Sequence, residues 1–228
     1  DIPGFIQCIA QHDFAAGIKK IKQTNALPAV CGRVCPQEDQ CEAVCVLGKK
    51  GDPVAVGRLE RFVADWAHAH RHELPNLRDK SIIGTPFNHK PTPTGKKVAV
   101  IGAGPAGLTA ALDLVRLGHA VTVFDQLPVA GGMMAVGIPE YRLPRDVLEY
   151  EIDAIRKLGV DIVTNTALGR NFSLDDLFQQ GYRAVFLAIG AHKSRRMGIP
   201  GEDLPGVWRG TEFLRDVCLG KAPDIRGK

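Results

Sequence analysis

Four of the six cysteines fall within fifteen residues, at Cys31, Cys35, Cys41 and Cys45, while Cys8 and Cys218 stand alone. Thiolates are soft ligands that suit iron–sulfur clusters or zinc. Zinc sites usually separate two short C-x-x-C-like pairs by a longer stretch. Here the pairs lie close together and Cys35 is followed by Pro36, as in many iron–sulfur loops. Cluster ligation is the leading expectation and a structural zinc staple the alternative. Disulfides rank third, because no export signal is visible in the sequence.

Gly102, Gly104 and Gly107 follow an apolar run at 97–101 and open a helical pattern at 105–117. A second apolar run at 120–124 ends in Asp125. This strand–loop–helix–strand–acid order is the dinucleotide fingerprint, and each part has a physical reason. Gly102 permits the tight turn, Gly104 lets the backbone approach a pyrophosphate, and Gly107 lets the helix pack close to the sheet. The helix start at Pro105 and Ala106 offers free N–H groups to phosphate. Asp125 is expected to accept hydrogen bonds from the adenosine ribose. FAD and NAD share this fingerprint. Gly131 and Gly132 fit a chain passing close to a flavin, as in two-dinucleotide flavoproteins. Met133 and Met134 are soft enough to touch its ring, or simply pack. Arg142 is a candidate to support flavin or phosphate charge, with a surface role equally open.

The elements that must position these residues divide the chain. Helical spacing is expected over the first 70 residues: Ile2, Phe5, Ile6 and Ile9, then Phe14, Ile18 and Ile21 after the cap Asp13. Asp52 and Pro53 read as the start of a further helix with a stripe of Val56, Leu59, Phe62, Val63 and Trp66. Pro75, Pro86, Pro91 and Pro93 mark a linker. His68, His70 and His72 alternate there, which suits a solvated helix end better than a metal site. Beyond it, strands alternate with helices, including a long amphipathic helix at 144–158, and imply a parallel sheet. The predicted domains are a helical cysteine domain at 1–75, a linker at 76–95 and a dinucleotide domain at 96–228.

Composition narrows the function classes. In 228 residues, 45% are hydrophobic and 24% charged, so a folded chain is expected. Lys and Arg total 29 against 25 Asp and Glu. That excess is small and scattered, and aromatics are only 6%, so nucleic acid is not an expected partner. No apolar run reaches the ~18 residues of a membrane helix. A cytoplasmic location is expected.

The cysteine segment 25–45, the segment 53–62 and the 100–107 loop together resemble the small subunit of NADPH-dependent glutamate synthase. Gly131 and Gly132, the Gly137, Ile138 and Pro139 run, and the segments 188–191 and 197–202 extend that likeness over essentially the whole chain. The same module occurs in dihydropyrimidine dehydrogenase and in electron-bifurcating NADPH–ferredoxin oxidoreductases. The resemblance implies a small all-α, ferredoxin-like Fe–S domain followed by an α/β, Rossmann-like FAD domain. It implies FAD, [4Fe–4S] clusters and NADPH as cofactors. Cys35 and Cys41 would ligate one cluster and Cys45 another, with Cys31 not necessarily a ligand. Glu60 matches a position where a relative supplies a Gln oxygen, and a surface role is the more cautious reading. Gly190 joins the expected FAD contacts. The family's upstream cysteine motif, NADPH domain and final FAD segment are not in these 228 residues, so the chain reads as part of a longer protein. The implied function is electron transfer from NAD(P)H through FAD to the clusters. The partner would be a large catalytic subunit of the glutamate synthase type, or another electron acceptor. The alternative is a zinc-stapled, non-redox dinucleotide-binding adaptor.

Overall fold

The computed structural model describes residues 1–72, 91–221 and 223–225. Most of the expected linker, 76–90, lies outside the described residues.

Helices α1 (Ile2–Ala10) and α2 (Phe14–Ile21) form where the apolar spacing predicts them, and Asp1 and Asp13 cap them by accepting from Gly4 and Ala16 N–H. The cysteine region does not begin as a loop. Pro28 sits at the first position of a short helix, α3 (Pro28–Val34), which carries Cys31 and ends at Cys35. Helix α4 (Val56–Ala69) starts later than the Asp52-Pro53 signal predicts. The Val54 N–H instead donates to the Cys45 sulfur at 3.5 Å. Most of the expected stripe packs inward, with Val56, Leu59 and Trp66 partly buried against the core. Val63, Ala64 and Ala67 are buried, whereas Phe62 is exposed and meets Phe14 edge-on. Phe5, Ile18 and Ile21 complete the core of this part.

Strands β1 (Lys97–Ile101), β2 (Ala120–Phe124), β3 (Asp161–Val163) and β4 (Tyr182–Leu187) form one sheet in the order β3-β2-β1-β4. All its pairings are parallel. Helices α5 (Pro105–Arg116), α6 (Met133–Val136) and α7 (Arg145–Lys157) lie in the connections from β1 outward to β3. The chain then returns through α8 (Leu174–Gln179) to the other side of β1. This reversal places a topological switch point between β1 and β4, and ligands of such sheets bind beyond the strands' carboxyl ends there. Helix α9 (Gly210–Cys218) follows.

The two parts share their cores. Val147 of α7 is buried among the residues of α1, α2 and α4, and Leu27 and Val30 join the core under α5 and α7. His68 stacks on Tyr150 across the same boundary, with centroids 4.3 Å apart.

Candidate functional site: a glycine cradle beside a cysteine segment

The glycine loop leaves β1 at Gly102, whose φ of +112° suits glycine alone. A Cβ there would lie 2.2 Å from the Ala188 carbonyl oxygen. Gly107 lies against the loop's own backbone, since its Cβ would fall 1.8 Å from the Gly102 carbonyl oxygen. Gly104 differs. Its backbone is extended, and a Cβ would meet only the Cα of Gly132, at 3.9 Å. Internal packing does not demand glycine at 104. Pro105 and Ala106 are exposed beside it, and no side chain caps α5. The first N–H groups of that helix therefore face the loop mouth without a side-chain acceptor.

The second glycine pair closes one flank. The Gly131 N–H donates to the Ala103 carbonyl at 2.8 Å, and Gly132 has a φ of +54°. Met133 is half-buried with its methyl end against Gly137, and Met134 is buried in the core. The two methionines thus pack internally. Arg142 is exposed. The guanidinium that enters this region belongs to Arg145, which the sequence did not single out. It donates to the Met134 and Ile138 carbonyls at 2.9 and 2.8 Å and to the Cys218 sulfur at 3.3 Å.

Asp125 is 6% exposed. One oxygen accepts from the Ala103 N–H at 2.7 Å and the other from the Leu127 N–H at 2.8 Å. The carboxylate that was expected to face a ribose also braces the glycine loop from below. A cavity of about 500 Å³ opens beside it, lined by Gly102, Asp125, Thr166, Gly190 and His192 among others. It sits beyond the ends of β1, β2 and β4, where the sheet topology predicts a ligand. His192 and Ser194, in the loop after Gly190, each hold a buried polar atom without a hydrogen-bond partner. The cradle at Gly104 and this cavity fit an extended dinucleotide.

All six cysteines are free thiols. Their environments differ. The Cys31 thiol donates to Asn25 Oδ1 at 3.6 Å. Burial, reinforced by neighbouring Cys35, pushes its pKa up to about 12. Burial also raises the Cys41 thiol. Cys45 is held below the ordinary thiol range by the N–H of Val54 first, then by those of Leu47 and Gly48. A sulfur receiving several backbone N–H groups is suited to carry negative charge, as a metal ligand must. Glu60 is not a simple surface group. Its carboxylate accepts from Asn25 Nδ2 at 2.7 Å, and burial, with Glu151 adding repulsion, raises its pKa. The resemblance assigns Cys35 and Cys41 to one cluster and Cys45 to another, each completed by ligands from outside this segment. No group of three His, Cys, Asp or Glu side chains among the described residues is arranged to hold a metal ion. Neither a four-thiolate cluster nor a zinc staple is assembled by these residues. Among the described residues no helix is long and apolar enough to cross a membrane.

Comparison with known proteins finds two family matches. Residues 1–72 match the dihydropyrimidine dehydrogenase domain II, 4Fe-4S cluster family. Residues 96–221 match the pyridine nucleotide-disulphide oxidoreductase family. The chain is 44% identical to the NADP(+)-dependent formate dehydrogenase subunit beta of Moorella thermoacetica, over 100% of the chain and 33% of that protein. It is 40% identical to the NADPH-Fe(3+) oxidoreductase subunit beta of Geobacter sulfurreducens, over 100% of the chain and 32% of that protein. It is 38% identical to the glutamate synthase [NADPH] small chain of Halomonas elongata, over 98% of the chain and 45% of that protein. The chain thus spans from about a third to just under a half of the length of these relatives. Their similar identities point to a group related to glutamate synthase small subunits and dihydropyrimidine dehydrogenase, and to no single member of it. With the second match covering more than half its length, the chain belongs to the pyridine nucleotide-disulphide oxidoreductase family, preceded here by a segment that matches the 4Fe-4S cluster model.

Proposed function

We propose that this chain is the FAD-binding and cysteine-bearing part of an NAD(P)H-dependent flavin/iron–sulfur oxidoreductase. One observation carries the reading: Gly104 is glycine in a place where the protein itself would tolerate a Cβ, at the mouth of an uncapped helix. A diphosphate explains that requirement, since it needs close backbone approach and N–H donors. FAD, when bound, takes a hydride from a nicotinamide and passes electrons on singly.

The chain's own residues hold and orient that cofactor. Gly102, Gly104 and Gly107 shape the cradle, with Pro105 and Ala106 at the helix mouth. Gly131, Gly132 and Met133 close its flank, and Asp125 and Gly190 wall the adenosine cavity. Arg142 stands free to meet flavin or phosphate charge at the surface. The cysteine segment contributes Cys35, Cys41 and Cys45 as thiolates toward [4Fe–4S] clusters, with the remaining ligands supplied from beyond the described residues. Glu60, tied to Asn25, is a weaker candidate. The electron acceptor is a separate redox protein, such as a large catalytic subunit of the glutamate synthase type.

Anaerobic absorption spectroscopy of the intact protein, with iron and acid-labile sulfide analysis, tests this. Flavin bands that NADPH or NADH bleaches, with iron and sulfide in equal amounts, are the expected result. Zinc without sulfide, or an absence of flavin, would overturn it.

A further inference from the structure

Glu151 lies on α7, among the buried apolar residues Val147, Leu148, Ile152 and Ile155 of the same helix, and is 1% exposed. Its two oxygens face the other domain. Oε1 accepts from the Ala29 backbone N–H at 3.0 Å, 122 residues away in sequence. Oε2 accepts from Lys22 Nζ at 2.7 Å. Ala29 is the second residue of α3, and the residue preceding that helix, Leu27, offers no side-chain cap. An N–H in the first turn has no partner within its own helix, so Glu151 supplies the acceptor that the local sequence lacks. Two residues further along, the same helix carries Cys31, and its C-cap is Cys35.

The same face of α7, one turn nearer its start, backs the glycine cradle. A Cβ on Gly131 would stand 3.1 Å from Leu148 Cδ2. One helix therefore touches the cradle and, three residues on, holds the start of the cysteine helix. An apolar side chain at 151 would avoid the desolvation cost of a buried carboxylate. What a carboxylate adds is direction: its bond to the Ala29 N–H is made in one orientation of α3 only, while Lys22, at the end of α2, holds the other oxygen. We propose that Glu151 is a positioning residue, fixing the helix that carries Cys31 and Cys35 against the dinucleotide domain. The value of that fixation for electron transfer rests on the proposed function; the fixation itself does not.

Amide hydrogen exchange of the full chain tests it, because the readout needs neither flavin nor cluster. The double variant Glu151→Leu with Lys22→Met replaces the ion pair by an apolar pair, a change that tends to keep overall stability. Exchange in residues 27–35 should rise about tenfold, the equivalent of one lost hydrogen bond. Exchange in α1 and β1 should stay unchanged. The conservative Glu151→Gln with Lys22→Met keeps an oxygen for Ala29 and should restore slow exchange. Unchanged protection in the leucine variant, uniform acceleration over the whole chain, or failure of glutamine to restore protection would each overturn the proposal. Should the leucine variant not fold, Glu151→Ser, too short to reach Ala29, gives the same contrast against glutamine.

Discussion

The backbones of Gly104 and Gly132 approach so closely that a Cβ on Gly132 would stand 2.8 Å from the Cα of Gly104. Two segments, one leaving β1 and the other leaving β2, thus form a single surface with no side chain between them. The Gly131 N–H bond to Ala103 fixes their spacing.

This surface separates the glycines by role. Gly107→Ala drives a methyl group into the Gly102 carbonyl, which cannot move away. A loss of about 3 kcal/mol is expected, lowering the melting temperature by about 6–12 °C. Gly104→Ala meets nothing nearer than 3.9 Å and should leave the melting temperature of the flavin-free chain within about 2 °C. Differential scanning fluorimetry of both variants checks the contrast.

Asp125 has two duties in this account. Asp125→Ala should weaken flavin binding, and it should also destabilise the flavin-free chain by about 3 kcal/mol. The second effect arises because the buried N–H groups of Ala103 and Leu127 lose a charged acceptor. Urea denaturation without flavin measures it. A side chain that served the ribose alone would leave that measurement unchanged.

Glu60 should make stability depend on pH. Its pKa in the fold lies above the ordinary carboxyl value of 4.5, so the folded state favours the protonated form. Stability from this group is complete below pH 4.5 and declines as pH rises through the raised value. Glu60→Gln keeps an oxygen for Asn25 and carries no charge. Thermal melts should show the variant matching the parent at pH 4 and exceeding it by a few degrees at pH 8.

The cysteines should react in a set order. Cys45, held below the ordinary thiol range by backbone N–H groups, should be alkylated first by iodoacetamide as pH is raised. Cys31, with its pKa pushed up to about 12, should be last of the four in the segment. Mass spectrometry of the digested, flavin- and metal-free chain reads the order. Equal rates at Cys31 and Cys45 would contradict the environments described for them.

Much of this arrangement was legible in the residues. The glycine spacing located the loop because Gly102 and Gly107 each answer a local steric demand. Asp13 and the apolar periods located α1, α2, α5 and α7 because capping and amphipathicity are also local. The sequence resemblance pointed to a two-part chain. What was not legible depends on partners distant in sequence. Helix α3 was hidden inside a cysteine pattern that reads as a loop, and its first turn is satisfied by Glu151, 122 residues away. The start of α4 was misplaced because the Val54 N–H serves a cysteine sulfur. Arg145 and Glu151 looked like ordinary polar positions of an amphipathic helix, yet both turn inward to backbone groups of other segments. The assignment of Cys35 and Cys41 to one cluster and of Cys45 to another is a statement about tertiary assembly with ligands from other segments, which residue spacing within this segment does not carry.

The central claim is that a flavin dinucleotide rests on the backbone at Gly104. Its direct test is the flavin content of the intact protein and of its Gly104→Val variant, released by denaturation and quantified against chain concentration. About one FAD per chain in the parent, with at least a tenfold loss in a variant of equal melting temperature once flavin is stripped from both, is the predicted result. A folded valine variant that retains the parent's full flavin content would contradict it.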